Sequence, residues 1–375
     1  MSDSVPFGSL LAKIIDNRGK TCPTSEDGIP LIATNCIKNE HLYPVYEKVR
    51  YVSQEIYDTW FRGHPEPGDL IFVLKGTPGR VNWVNDPVDF CIAQDMVALR
   101  VDESKVDPKY LFAVLRSSQI QQEIEGLHVG SLIPHFKKSD FDDLQIPLVA
   151  HELQKYIGDT YFNLSLKIDL LHRQNKTLEA MAETLFRQWF IEEAKEDWED
   201  GTLDQLIDLK YGKALKQEDR SGSGYPVVAS SGIVGFHNNY LVKGPGIVIG
   251  RKGTLGKVYF MEDNFYPIDT SYFIETKTSG SNLIFEYYLL KSLDFANMNS
   301  DSAVPGLNRN IALGTQIQVP PEELILSFNG TAQPWFSKIH SNTKQIQTLE
   351  KLRDTLLPKL MSGEARVQYQ TEEVA

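Results

Sequence analysis

The sequence predicts a mixed α/β (α+β) chain built twice over, with two globular parts alternating with two long helices. Three observations predict it: the chain matches itself at a fixed offset, short apolar runs bounded by turn residues recur in each half, and each half closes on a heptad seam. Sliding the sequence by 171 lays Ser131–Phe190 over Ser302–Met361 without a gap, and fifteen of the 60 pairs are identical. Composition alone would give roughly three or four such identities. Further upstream the offset drifts to 177, where Lys75-Gly76-Thr77-Pro78-Gly79-Arg80-Val81 faces Lys252-Gly253-Thr254-Leu255-Gly256-Lys257-Val258 with five identities and an Arg/Lys exchange. The chain reads as a tandem duplication.

Taken in order, residues 1–148 form the first globular domain. Leu70-Ile71-Phe72-Val73 is a short strand there, and Pro108 to Ser117 a helix. Residues 149–195 form a long helix whose seam is Leu153, Ile157, Thr160, Leu164, Ile168, Leu171, Asn175, Leu178, Ala182, Leu185 and Trp189. Steps of three and four sustained this far indicate a coiled coil. An acidic, solvated hinge follows at Glu192, Glu193, Glu196, Asp197, Glu199 and Asp200.

The second globular domain spans 196–320, with Gly246-Ile247-Val248-Ile249 as a strand and Phe285 to Leu293 as a helix. The second coiled-coil helix spans 321–363 on the seam Leu324, Phe328, Thr331, Trp335, Ile339, Asn342, Ile346, Leu349, Leu356 and Leu360, which Arg353 breaks. Asn175 and Asn342 are polar intrusions of the kind that fixes register. Pro334 is expected to start or kink this helix, and Gly363 to end it. Residues 364–375 are a polar tail expected to be disordered.

A length of 375 residues suits two or three domains. No apolar run approaches the roughly 20 residues of a membrane span, and Met1 to Lys20 lacks the pattern of a signal peptide. Three widely spaced cysteines, Cys22, Cys36 and Cys91, favour a reducing cytoplasm over a disulfide framework or a zinc site. A net charge of −12 argues against indiscriminate nucleic-acid binding. Any DNA contact would be local, or shared with a basic partner.

Catalytic constellations are not found. Gly244 and Gly250 precede Arg251 at the wrong spacing for a phosphate-binding lysine loop. Pro320-Pro321 is followed by Glu322, so the tetrapeptide of an amino-methyltransferase is missing, and His151-Glu152 has no second histidine at metalloprotease spacing. No metal ligands are assigned. An isolated Asp or Glu is read as a solvated surface residue.

The duplicated Lys-Gly-Thr-x-Gly-Arg/Lys segment carries the most local information. Two glycines permit a tight strand-to-strand turn and close backbone approach to a ligand. Lys75, Thr77 and Arg80, with Arg251, Lys252, Thr254 and Lys257 in the second copy, supply donors for phosphates and base edges. The plainer reading is a hairpin with solvated bases, which the matching second copy weighs against. A second repeated loop, Ser131 to Lys138 against Ser302 to Arg309, adds Lys137, Lys138, Asn308 and Arg309. Its alternative is a loop that only feeds the helix.

On these residues the chain resembles the specificity subunit of Type I restriction-modification systems over nearly its whole length. The paired glycine loops carry the resemblance first. The helix lead-ins follow: Leu144-Gln145-Ile146-Pro147 with Glu152-Leu153, and Gln316 to Pro321 with Glu323-Leu324. The ending Leu349-Glu350-Lys351-Leu352-Arg353-Asp354-Thr355-Leu356-Leu357-Pro358-Lys359-Leu360-Met361-Ser362-Gly363-Glu364 is the most specific. Val149-Ala150 departs from the Pro-Pro frequent in the family. The resemblance implies a non-catalytic DNA reader, in which each globular part is a target recognition domain for half of a split, asymmetric double-stranded site. It further implies that the helices pair antiparallel as a spacer, giving a pseudo-twofold molecule, with Leu178, Leu185, Leu349 and Leu356 toward partner subunits. Those partners would be two adenine-N6 methyltransferase subunits, carrying S-adenosylmethionine that this chain does not bind, and ATP-dependent restriction subunits. The alternatives are the specificity subunit of a related multisubunit restriction system, a stand-alone enzyme, and a coiled-coil adaptor without DNA contact.

Overall fold

The computed structural model describes residues 3–17, 19–127, 134–195, 198–298 and 306–365. The chain divides into two compact units: Met1–Arg173 with Thr343–Ala375 form unit 1, and Gln174–Asn342 form unit 2. The expected hinge residues Glu196 and Asp197 and the tail beyond 365 lie outside the described residues.

Unit 1 holds β1 (Asp3–Pro6), β2 (Leu11–Asp16), β3 (Ile29–Ile32), β4 (Arg50–Val52), β5 (Leu70–Val73), β6 (Val81–Trp83), β7 (Cys91–Ile92), β8 (Met96–Val101) and β9 (Gln145–Leu148). A four-stranded antiparallel sheet runs β2-β8-β5-β6, a three-stranded sheet runs β4-β3-β7, and β1 pairs with β9. Among the described residues of this unit only β3 and β7 pair in parallel. β5 lies between β8 and β6, and all four of its side chains are buried, which explains its unbroken apolar run. The helices are α1 (Gln54–Trp60), α2 (Pro108–Leu115) and α3 (Ser118–Gly126). Pro108 opens α2 because its missing N–H is not needed there, and Asp107 caps the helix by accepting from Tyr110 N at 2.9 Å. Ser117 caps α3 in the same way.

Helix α4 (His151–Arg187) carries the first seam, and all eleven seam residues are buried or half-buried. A π-helical turn, Gln188–Glu192, follows it.

Unit 2 repeats the plan. It holds β10 (Glu199–Thr202), β11 (Ile207–Tyr211), β12 (Tyr225–Ala229), β13 (Gly232–His237), β14 (Gly246–Gly250), β15 (Val258–Met261), β16 (Tyr266–Pro267), β17 (Ser271–Thr276) and β18 (Gln316–Val319). The sheets run β11-β17-β14-β15, β13-β12-β16 and β10-β18, strand for strand as in unit 1. A parallel pair, β12 with β16, also recurs. Its helices are α5 (Ile284–Ser292) and α6 (Arg309–Leu313).

Helix α7 (Glu322–Met361) differs from expectation at three points. It begins twelve residues before Pro334 and stays helical through it. The carbonyl that a proline ring crowds belongs to the residue four places back, here Gly330, where even an added Cβ would meet nothing within 4 Å, so the backbone has room to adjust. The buried face near its start is Ile325, Phe328, Ala332 and Phe336, whereas Thr331 is exposed and Trp335 only half-buried. This stretch is covered from two sides, by Ala182 and Phe186 of α4 and by Phe285 and Tyr288 of α5, so a single heptad line does not describe it. Arg353 does not interrupt the seam: it is 7% exposed, with its guanidinium 5.5 Å from the Tyr161 ring and its Nε 2.8 Å from Asp354. Gly363, at φ +74°, follows the last helical turn.

Early residues of α4 meet late residues of α7 in unit 1. Ile168 and Leu171 cluster with Ile346 and Leu349, and Ile157 and Tyr161 share a core with Leu357 and Leu360. In unit 2 the buried Asn342 donates through Nδ2 to Gln174 Oε1 and to Asn175 Oδ1, both at 2.8 Å, so the two seam asparagines meet. Among the described residues, no helix is long and apolar enough to cross a membrane, and no group of three or more His, Cys, Asp or Glu is placed to hold a metal ion.

Candidate nucleic-acid interface

The duplicated glycine segment is the turn between β5 and β6 in unit 1 and between β14 and β15 in unit 2. Both turns use one wiring. Val73 N bonds to Arg80 O and Gly79 N to Val73 O; in the second copy Gly250 N bonds to Lys257 O and Gly256 N to Gly250 O. The amides of Leu74 and Lys75 share Asp95 O, and those of Arg251 and Lys252 share Thr270 O. Both glycines of each turn need left-handed backbone, with φ of +87° and +88° at Gly76 and Gly79, and +81° and +68° at Gly253 and Gly256.

The second repeated loop sits against the first. Phe136 N bonds to Leu74 O at 2.8 Å, and Lys75 bridges His135; in unit 2 Leu307 N bonds to Arg251 O at 2.9 Å, and Lys252 bridges Gly306. Residues 131–133 and 302–305 of these loops lie outside the described residues. Two loops some sixty residues apart in sequence thus share one edge in each unit.

The side chains divide into available and committed groups. Lys75, Thr77 and Arg80 are half-buried, and Lys137 is exposed. Lys252, Thr254 and Lys257 are exposed, with Lys257 Nζ 5.4 Å from the Tyr259 ring. Arg251 is half-buried, its guanidinium 4.9 Å from the Tyr211 ring and 5.6 Å from the Tyr272 ring, and its Nη1 donates to Asp269 O at 3.1 Å. Arg251, Lys252, Asn308 and Arg309 line one open polar cleft of about 290 Å³ with Tyr211, Tyr272 and Asn310.

Three residues expected to contact DNA have side-chain partners within the fold. Lys138 is ion-paired with Asp16. Asn308 caps α6, its Oδ1 accepting from Asn310 N at 2.9 Å and Ile311 N at 3.3 Å. Arg309 donates through Nε to Leu209 O at 2.7 Å and pairs with Asp208. The Lys210 ammonium above all, with the Leu209 N–H and Arg309 adding to it, holds the Asp208 carboxyl below the usual carboxylate range. A neutralised arginine is a weak recruiter of phosphate.

Three of the four leucines expected to face partners pack within the fold. Leu185, Leu349 and Leu356 pack into cores of their own units, and Leu178 is half-buried. Large apolar side chains left exposed on the two helices are Leu170, Met181, Leu326 and Leu352, at 47, 44, 37 and 49%. The tyrosines beside Arg251 escaped the sequence reading, because they come from β11 and β17 and no local motif marks them. Burial first, then contact with Tyr211, raises the Tyr272 hydroxyl pKa.

Comparisons with known proteins agree with this duplicated architecture. The family model described as the Type I restriction modification DNA specificity domain matches twice, at residues 13–180 and 195–327. The specificity subunit of the Type I restriction enzyme MjaIX of Methanocaldococcus jannaschii is 24% identical over 308 residues, covering 72% of this chain and 71% of its own. That of MjaVIII from the same organism is 23% identical over 319 residues, 74% of each chain. Among solved structures, the S subunit of a Type I restriction-modification system from M. genitalium matches in fold with a TM-score of 0.62 at 21% identity, covering 96% of both chains. With two matched domains spanning most of its length, the chain belongs to the Type I restriction-modification DNA specificity family and serves as a DNA target-recognition subunit.

Proposed function

We propose that this chain reads a bipartite, asymmetric double-stranded DNA target, unit 1 taking one half-site and unit 2 the other, and that it does so without catalysing a reaction itself. The observation that carries this is the matching pattern of backbone bonds that holds the two glycine hairpins, each with a second basic loop at its side. Exposed Lys137, Lys252, Thr254 and Lys257 would meet phosphates, and the half-buried Lys75, Thr77, Arg80 and Arg251 would lie nearer the base edges. Helices α4 and α7 would pair as an antiparallel coiled coil that sets the unread spacer. Methyltransferase subunits, carrying S-adenosylmethionine, and ATP-dependent restriction subunits would dock on the helical regions. Leu170, Met181 and Leu352 suit such docking better than the leucines already packed inside. The acidity of the chain fits partners that supply part of the phosphate-neutralising charge.

The test is single-molecule sequencing of methylated DNA from cells holding this chain with an adenine methyltransferase partner. A motif of two short half-sites around an unread spacer is expected. Replacing Lys252, Thr254 and Lys257 together by Ala should degrade one half-site, and replacing Lys75, Thr77 and Arg80 the other. Absence of any split motif, or equal loss on both halves, would overturn the reading. Methyl transfer by the isolated chain would overturn its non-catalytic part.

A further inference from the structure

Three features set Arg251 apart from the other basic residues of unit 2. Its guanidinium is already ordered: Tyr211 and Tyr272, with rings 5.1 Å apart at 61°, stand beside it, and Asp269 O fixes one nitrogen. Its backbone is pinned on both sides, through its amide to Thr270 O and through its carbonyl from Leu307 N, each at 2.9 Å. Among the described residues no carboxylate pairs with it, whereas Arg309 in the same cleft is neutralised by Asp208.

The repeat supplies an internal control. Leu74 occupies the matching position of the first hairpin, is 8% exposed and belongs to an apolar core. The backbone bonds at this position, one from its amide and one to its carbonyl, are the same with leucine or arginine there. The turn therefore does not require an arginine. What the arginine adds is a planar donor fork, charged and open to the cleft.

We infer that Arg251 reads a guanine in the half-site of unit 2, and that unit 1 reads its half without an arginine at this position; this rests on the DNA-recognition reading above. The fork matches the O6 and N7 acceptors that guanine shows in the major groove, a fit that adenine's N6 amino group spoils. Stacking against tyrosines limits the rotamer freedom lost on binding, which suits a reader better than a free surface side chain. Lys252, Thr254 and Lys257 on the exposed rim are placed for the backbone, which positions the complex but carries no sequence.

The experiment uses the complex of this chain with its methyltransferase partner. Sequencing of methylated DNA first establishes the wild-type motif; if no split motif emerges, the DNA-recognition reading itself fails. Given a motif, one half should contain an indispensable guanine. In Arg251→Ala, discrimination at that one position should fall roughly 5- to 150-fold while the other half stays intact. Arg251→Lys, which keeps the charge and loses the fork, should relax the same position. A 7-deazaguanine duplex, which lacks N7 but keeps O6, tests the wild-type complex without any substitution: it should lose part of the affinity that Arg251→Ala loses, and Arg251→Ala should be indifferent to it. Tyr211→Leu, at an exposed position, should weaken discrimination in part. An unchanged motif in Arg251→Ala, or equal weakening on all duplexes with no response to 7-deazaguanine, would overturn the assignment and leave Arg251 a phosphate contact.

Discussion

Arg309 and Arg251 line the same cleft, but Arg309 is held by the Leu209 carbonyl and Asp208, whereas among the described residues no carboxylate pairs with Arg251. Arg309→Ala should therefore damage the fold and spare the reading of DNA. The substitution removes the 2.7 Å bond from Nε to the carbonyl of Leu209, a residue buried in β11, and the ion pair with Asp208. A hydrogen bond from a charged group is worth about 1.5–3 kcal/mol, and an ion pair this exposed about 0–1 kcal/mol. Asp208 keeps Lys210 at 2.8 Å, so no carboxylate is orphaned and the loss stays at about 1.5–4 kcal/mol. For a unit of this size each kcal/mol lowers Tm by about 2–4 °C, so the expected fall is roughly 3–16 °C. Circular dichroism melting measures it on the purified chain, and methylation sequencing with the partner should return an unchanged motif. An unchanged Tm with relaxed preference at one base would refute the reasoning and restore Arg309 as a reader.

Other outcomes follow from the same contacts. Gly256→Ala should destabilise unit 2 more than Gly76→Ala destabilises unit 1. A Cβ at 256 would lie 2.7 Å from Phe295 Cβ and 2.9 Å from Ala296 N, whereas one at 76 meets nothing within 4 Å and adds only left-handed strain of about 1–2 kcal/mol; equal melting losses would contradict this. Asn342→Leu should be neutral or stabilise by about 1–2 kcal/mol in guanidinium unfolding, since it removes a buried Oδ1 that has no partner and adds apolar contact on the seam. A loss above 2 kcal/mol would show that the two bonds to Gln174 and Asn175 outweigh burial. The His41 ring sits 5.1 Å from that of His172, and burial, then the charge of His172, lowers its pKa from 6.5. Its neutral form is favoured in the fold, so the unfolded chain binds more protons and stability falls as pH drops below about 6.5. The urea midpoint should therefore fall between pH 7.5 and 5.5, and fall less in His41→Gln; equal slopes would exclude His41 as the source.

The repeat made much of this legible beforehand. Leu70–Val73 and Gly246–Ile249 are strands because each is an apolar run closed by turn residues, and the seam of α4 follows from its spacing. The seam of α7 was less legible near its start, where Phe336 rather than Trp335 is buried, because two neighbours cover that stretch at once. For the interface, two copies of Lys-Gly-Thr-x-Gly located both hairpins. What spacing could not supply was commitment: Asp208 lies 101 positions from the arginine it neutralises, and Tyr211 and Tyr272 reach Arg251 only once β11 and β17 are paired. A basic residue in a sequence looks available. Whether its charge is spent is a property of distant contacts.

The division of the chain into a continuous unit and a discontinuous one has a consequence for synthesis. Leu357 and Leu360 complete the core of unit 1, yet they are translated after every residue of unit 2. At 5–20 residues per second, the stretch from 174 to 342 occupies a ribosome for on the order of ten to thirty seconds. During that interval Ile157 and Tyr161 on the nascent α4 lack their α7 partners, while unit 2 gathers all of its own. The half of the protein that is begun second is thus the first that can close. The earlier half waits with an apolar stripe uncovered, which is the stage at which a nascent chain most needs a chaperone.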